Sequence, residues 1–263
     1  MIKIENGSYH YTNSIGIHDI NLDISKGETV CIMGPNGSGK STLLKLIVGL
    51  CPFEDGEYFF EGDKIDADFL NDNQKVGNFY RHFGFVFQNP DIQLFNMTVY
   101  DEVAFGLRNL DLSEDEVKQR VMDSLELLGI THLKERVPYH LSGGEKKLVA
   151  IASVLVMNPD VIIFDEPFNG LSPKYRKLIT ELIQQLQTIG KTFIISSHHF
   201  TQIRYLVDKA YIFTEDHTLD KEVRLKDLED LPDFIEYLDN IKTYQKVAEI
   251  PMNCTPKVAH CQL

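Results

Sequence analysis

Between residues 1 and 33 apolar and polar side chains alternate in three short runs, IKIEN, INLDI and ETVCIM, separated by Gly7, Asn13, Gly16 and Gly27. A period of two gives each strand one apolar face, and Gly and Asn end the runs, so strands are predicted throughout this segment. A helix is predicted from Ser41 to Val48, closed by Gly49. Alternation returns in GEYFFEGDKI (56–65) and HFGFVFQ (82–88), which makes the first third rich in sheet. After Asn89 and Pro90 the period lengthens. From Thr98 to Val137 the pattern is helical, with Thr98 and Asp101, then Ser113 and Glu116, spaced as capping boxes. Val117, Val121, Leu125 and Leu128 follow at helical spacing, and Gly129 stands at a C-cap position. Another helix is predicted over 145–157. VIIFD, FIISS and AYIF are then continuous apolar runs, expected of parallel strands covered on both faces. The pattern describes an α/β core interrupted by a helical subdomain at about 91–157.

Beyond Asp216 the chain turns acidic, and Leu225, Leu228, Leu231, Phe234, Ile235, Leu238 and Ile241 predict one or two amphipathic helices around Pro232. Residues 1–215 are therefore read as the main domain and 216–263 as an acidic, helical appendage. With 263 residues, 43% hydrophobic and 25% charged, the composition is that of an ordered globular chain. Its 39 acidic against 26 basic residues leave a formal charge of −13, which argues against non-specific binding to nucleic acid or anionic lipid. No run of about 18 apolar residues occurs, so no membrane span is predicted. The N-terminus lacks the apolar stretch of a secretory signal, and a cytosolic location is expected. Cys31, Cys51, Cys254 and Cys261 form no CxxC pair and suggest neither disulfides nor a zinc site. Cys31 reads as core filler.

The chemistry begins at GPNGSGKST, comprising Gly34, Pro35, Asn36, Gly37, Ser38, Gly39, Lys40, Ser41 and Thr42. It satisfies GxxxxGK[ST] between an apolar strand and a helix, the setting a phosphate-binding loop requires. The glycines let successive backbone N–H groups converge on a polyphosphate at the positive end of a helix. Lys40 is placed to neutralise the β- and γ-phosphates, and the Ser41 hydroxyl to bind Mg2+. This loop alone specifies a nucleoside triphosphate and no particular reaction. Further along, VIIFDE puts Asp165 and Glu166 at the end of a buried strand, where one acid can hold magnesium and the other polarise an attacking water. LSGGE sets Ser142, Gly143, Gly144 and Glu145 before a helix, offering a hydroxyl and unobstructed N–H groups.

The order of these segments, with Gln88 after a strand and Ser197-His198 after another, resembles the ATP-binding cassette (ABC) ATPases over roughly residues 1–215. That resemblance implies an α/β fold, a P-loop NTPase of the ABC ATPase type with a mostly parallel core sheet, an antiparallel β subdomain and a helical subdomain. It implies a Mg-dependent ATPase in which Gln88 senses the γ-phosphate and magnesium. His198 would clamp the γ-phosphate and water, and Tyr11, with Tyr9 as the alternative, would stack on adenine. It further implies a head-to-tail dimer with a second cassette, identical or paralogous, in which Ser142 to Glu145 cap the partner's ATP.

FQNPDIQLF, TVYDEVAFGLRNL and LSGGEKK are similar to segments of the ATPase subunits of energy-coupling factor importers of vitamins and transition-metal ions. This likeness implies an integral membrane transporter subunit as partner, a peripheral place on the inner face of the membrane, and Asn89, Pro90, Asp91 and Gln93 as transmission residues. Departures are PFNGLSP where the family commonly reads PTxGLDP, Leu148 at a usual Arg, and His199 at a usual acid. Ser172 in place of Asp keeps hydrogen bonding and loses charge, which bears on communication between the two sites. Two other readings are a soluble ABC-type ATPase acting on nucleic acid, and a regulatory nucleotide-binding subunit with weak turnover. The former usually carries coiled coils, zinc insertions or two cassettes, which this sequence lacks.

Overall fold

The computed structural model describes residues 1–12 and 14–224. In chain order the elements are β1 (Ile2–Tyr11), β2 (Ser14–Ile24), β3 (Thr29–Met33), α1 (Lys40–Ile47), β4 (Asp55–Phe60), β5 (Asp63–Lys64), α2 (Ala67–Asn71), α3 (Asn73–Arg81) and β6 (Phe83–Val86). They continue with α4 (Val99–Leu107), α5 (Glu114–Leu127), α6 (Gly143–Leu155), β7 (Val161–Asp165), α7 (Pro173–Thr188), β8 (Thr192–Ser197), α8 (Phe200–Ile203), β9 (Lys209–Phe213) and β10 (Leu219–Arg224). A six-stranded sheet has the order β10-β9-β3-β8-β7-β6, parallel except for the β10–β9 pair. An antiparallel four-stranded sheet of order β2-β1-β4-β5 covers one side of it.

The continuous apolar runs are explained by what lies on each face. Along β3, Cys31 and Met33 enter one core, while Val30 and Ile32 enter another. β7 divides in the same way, with Ile162 and Phe164 against Val161 and Ile163. The first core is completed by α4, α5, α6 and α7, and the second by α1, α3 and the antiparallel sheet. Successive side chains alternate in direction, so a strand covered on both sides must be apolar at every position. Cys31 is fully buried as a free thiol, and burial pushes its pKa well up, as befits core filler.

In the helical subdomain Ser113 and Glu116 form a reciprocal capping box, and Val117, Val121 and Leu125 are buried along α5. Leu125→Ala is expected to destabilise the protein by about 3 kcal/mol, since a fully buried leucine loses both transfer energy and packing. A fall in denaturant midpoint at constant m-value would register it.

The structure departs from the sequence reading in four places. The run 56–65 is two strands folded at Glu61-Gly62, whose φ values of 51° and 97° suit a tight hairpin turn that pairs Phe60 with Asp63. Residues 67–81 form two short helices, started by the Asp66 and Asp72 side chains, whose apolar spacing spans only the single turn Val76, Phe79 and Tyr80. At α4, Thr98 accepts from the Asp101 amide, but the Asp101 carboxylate receives the Thr98 hydroxyl and Arg108, so the reciprocal half of the predicted box is missing. The appendage predicted from 216 does not start as a helix: β10 extends the main sheet to Arg224. The predicted helices over 225–241, and Cys254 and Cys261, lie outside the described residues.

Candidate functional site: a nucleotide cleft at the ends of parallel strands

β3, β7 and β8 run in parallel, so the segments leaving their C-terminal ends meet at one edge of the sheet. There Asn36, Gly37, Gly39, Lys40, Ser41, Thr42, Gln88, Asp165 and Glu166 line an open cleft of about 410 Å³. Gly39 caps α1 in the left-handed region at φ 109°, and a Cβ there would lie 2.3 Å from the Ile17 side chain. Only glycine permits that turn beside β2. The Lys40 ammonium, 7% exposed, donates to the carbonyls of Gly34 (2.7 Å) and Pro35 (2.9 Å) and so closes the loop on itself. Burial lowers its pKa, opposed by the nearby charges of Glu166 and Asp165. The Ser38 side chain is buried with no hydrogen-bond partner among the described residues, so its hydroxyl does not line the cleft.

Asp165 links strand ends that are far apart in sequence. Its Oδ2 accepts from the Ser41 hydroxyl at 2.9 Å, and its Oδ1 from the Ser196 hydroxyl at 2.5 Å. Hydroxyl, carboxylate and the nearby Gln88 amide are hard oxygen donors, which suit a magnesium ion that arrives with phosphate oxygens and completes its shell with water. Among the described residues no cluster of three or more His, Cys, Asp or Glu could hold a metal on its own. Glu166 adopts the left-handed region at φ 48°, uncommon for a residue with a side chain. Its amide donates to Ser196 Oγ at 2.9 Å, and its Oε1 lies 2.8 Å from His198 Nδ1. The turn thus aims a buried carboxylate at the cleft and sets His198 behind it. His199 is exposed beyond it, on a smaller cavity with Arg176 and Asn169.

Tyr11 is half exposed, and its hydroxyl lies 3.2 Å from Thr42 Oγ1, whereas Tyr9 packs edge-on against Tyr11 and along the second core. Of the two tyrosines, Tyr11 is therefore the one that borders the phosphate loop. Ser142, Gly143, Gly144 and Glu145 do not line this cleft. They open α6, where Ser142 and Glu145 form a capping box that holds the Glu145 carboxyl below its ordinary range. A Cβ on Gly144 would meet the Tyr175 ring at 2.3 Å, so α7 supports this turn from beneath. Ser172 precedes α7 without a side-chain cap, and Arg176 Nε donates to the Leu171 carbonyl.

Next to the segment after β6 lies an apolar patch. Ile92, Phe95, Met97 and Phe105 are exposed, with the Phe95 and Phe105 rings edge-to-face at 4.9 Å. Glu102, buried, holds this loop by accepting from the amides of Phe95 and Asn96 at 2.8 Å each. Gln93 faces away from the surface. Its side chain bonds Phe87, Ala150 and Ser153, so the structure removes it from the outward-facing transmission residues. Sequence reasoning missed Glu102 and Lys147. Each is a charged residue on a helix, and nothing in the local pattern marks it as buried.

The phosphate loop, the strand-end acids and the parallel sheet define a P-loop nucleoside triphosphatase. The family model for the ABC transporter matches residues 17–169. The chain is 45% identical to the nickel import ATP-binding protein LarO of Lactiplantibacillus plantarum, over 88% of this chain and 96% of the relative. It is 41% identical to the energy-coupling factor transporter ATP-binding protein EcfA of Methanothermobacter thermautotrophicus, over 81% and 67%. The solved structure of cbiO1 from Clostridium perfringens, part of the ABC transporter complex cbiONQ, superimposes with a TM-score of 0.78 at 35% identity, covering 90% and 94% of the chains. A dimeric ATP-binding cassette in a post-hydrolysis state with ADP and Pi gives a TM-score of 0.77 at 29% identity, covering 86% and 99%. The chain belongs to the ATP-binding, ATP-hydrolysing subunits of the ABC transporter family.

Proposed function

We propose that this chain is the energy-coupling subunit of an importer of a vitamin or transition-metal ion, acting on a separate integral membrane partner. The observation that carries this reading is the exposed apolar patch of Ile92, Phe95, Met97 and Phe105, three of them on the segment that continues from the cleft residue Gln88. Exposed apolar side chains grouped in this way, with the Phe95 and Phe105 rings in contact, suit a docking site, and a buried carboxylate, Glu102, holds the loop in shape. The names of the relatives, one a nickel importer and another an energy-coupling factor, support the solute class.

In the cleft the amides of Asn36 to Gly39 and the Lys40 ammonium wrap the triphosphate. Ser41, Asp165 and Gln88 would hold magnesium, which supplies charge neutralisation for the transferring phosphoryl group. Glu166 accepts a proton from the attacking water, and His198, hydrogen-bonded to Glu166, orients it and contacts the terminal phosphate. Tyr11 swings from Thr42 to stack on adenine. Ser142 to Glu145 do not line this chain's own cleft and, as in the family it belongs to, would act on the ATP of a second cassette, identical or paralogous. For that, the Ser142 hydroxyl must leave Glu145 Oε2, which it meets at 2.6 Å. Among the described residues no helix is long and apolar enough to cross a membrane, so in this reading attachment to the inner face runs through the docking patch.

The test is co-purification from gently solubilised native membranes with a tag on the full chain. A multi-span membrane protein and a second cassette are expected in the eluate. Phe95→Asp combined with Met97→Asp should release the membrane protein while ATP affinity is retained, because the patch lies outside the cleft. Recovery of the chain alone, or with nucleic acid, would overturn the importer reading.

A further inference from the structure

Behind the cleft, the segment following β6 is tied down on the helix that carries LSGGE. Lys147, on α6, is 3% exposed, and its ammonium donates to the carbonyls of Phe87 at 2.8 Å and Gln88 at 3.1 Å. Gln93 ties the segment's other end: its Nε2 donates to the Ala150 carbonyl (3.0 Å) and to Ser153 Oγ (3.2 Å), and its Oε1 accepts from the Phe87 amide (3.3 Å). Nearer the surface, Lys146 meets the Asp91 carboxylate at 2.6 Å. Residues 87–93 are thus anchored at both ends to one helix, while the Gln88 side chain is exposed on the nucleotide cleft.

Stability does not account for Lys147. An ammonium removed from water and given two carbonyl oxygens recovers only part of its hydration, and a methionine would fill similar space without that loss. Burial brings its pKa down to about 8 against the opposing pull of Asp165 and Glu166, a measure of how unfavourable the site is for the charge. What the charge does secure is the orientation of two consecutive peptide planes. Those planes immediately precede and follow the Cα from which Gln88 reaches the cleft.

We propose that Lys147 is a positioning residue: by holding the Phe87 and Gln88 carbonyls it aims the Gln88 side chain at the terminal phosphate, with Gln93 as the second anchor of residues 87–93 on α6. The inference rests on the reading of Gln88 as the group that senses the γ-phosphate.

The experiment compares the affinities of the full chain for ATP and for ADP, each with magnesium, in the unmodified protein and in Lys147→Met, Gln93→Leu and Gln88→Ala. Loss of the charge-assisted contacts should weaken ATP about tenfold in Lys147→Met and leave ADP unchanged, because ADP lacks the phosphate that Gln88 contacts. Its nucleotide-free melting temperature should stay level or rise, which separates positioning from a structural contribution. Gln93→Leu, cutting the second anchor, should show the same selective loss at about threefold and serves if Lys147→Met does not fold. Equal losses for ATP and ADP, or an ATP loss confined to Gln88→Ala, would overturn the role of Lys147 and leave the Gln88 reading standing. No selective loss in any variant, Gln88→Ala included, would overturn the Gln88 reading and this inference with it.

Discussion

Glu166→Gln is expected to bind ATP with magnesium as the unmodified chain does and to hydrolyse it about 10²- to 10⁴-fold more slowly, the usual share of a general base. The substitution is nearly isosteric. Backbone strain at φ 48° is carried by the turn, and the amide that fixes it to Ser196 Oγ is untouched. The amide oxygen of a glutamine can still face His198 Nδ1, so the 2.8 Å contact survives. What disappears is a group able to take a proton from water. The lost turnover is therefore in the chemical step, and a species with ATP intact should accumulate as a dimer of cassettes. Phosphate release under saturating ATP, with size-exclusion in parallel, reads both effects. Turnover equal to that of the unmodified chain would remove Glu166 from the role of base.

The second large effect is on binding. Lys40→Ala should weaken ATP by about 100-fold or more, since a buried cation that makes charge-assisted bonds to phosphate contributes roughly 1.5 to 3 kcal/mol per contact. Lys40 now closes the loop through the Gly34 and Pro35 carbonyls, 7% exposed. In the proposed site the same ammonium would turn to the β- and γ-oxygens of a bound triphosphate, so ADP should suffer less than ATP. Titration calorimetry with both nucleotides tests this, and unchanged far-UV circular dichroism would show that the loop's other anchors keep the fold. An unchanged ATP affinity would contradict the assignment of this loop.

What could be read from the chain was whatever chemistry depends on neighbours in sequence. Residues 34–42 can cradle phosphate because consecutive amides and one lysine suffice, and no distant element is needed to recognise them. The box at Ser113 and Glu116 is a contact across three residues, and α5 follows from it together with its buried stripe. The buried strands were legible because cores on both faces leave no polar position between Val161 and Phe164.

Tertiary structure alone decided how those pieces meet. Ser41 and Asp165 are 124 residues apart and Glu166 and His198 are 32 apart, and each pair forms because parallel strands deliver their C-terminal ends to one edge. The turn at Glu61-Gly62 and the helices over 67–81 escaped the pattern because elements of one or two turns give too few repeats for a period to be read. β10 follows from the unpaired edge of β9, a long-range demand for hydrogen bonds that the acidic texture after Asp216 does not reveal. For Lys147 and Gln93 the local pattern suggested an ordinary helix position and a surface loop. Packing placed both between α6 and the Gln88 peptide, where backbone carbonyls and an amide had to find partners away from water.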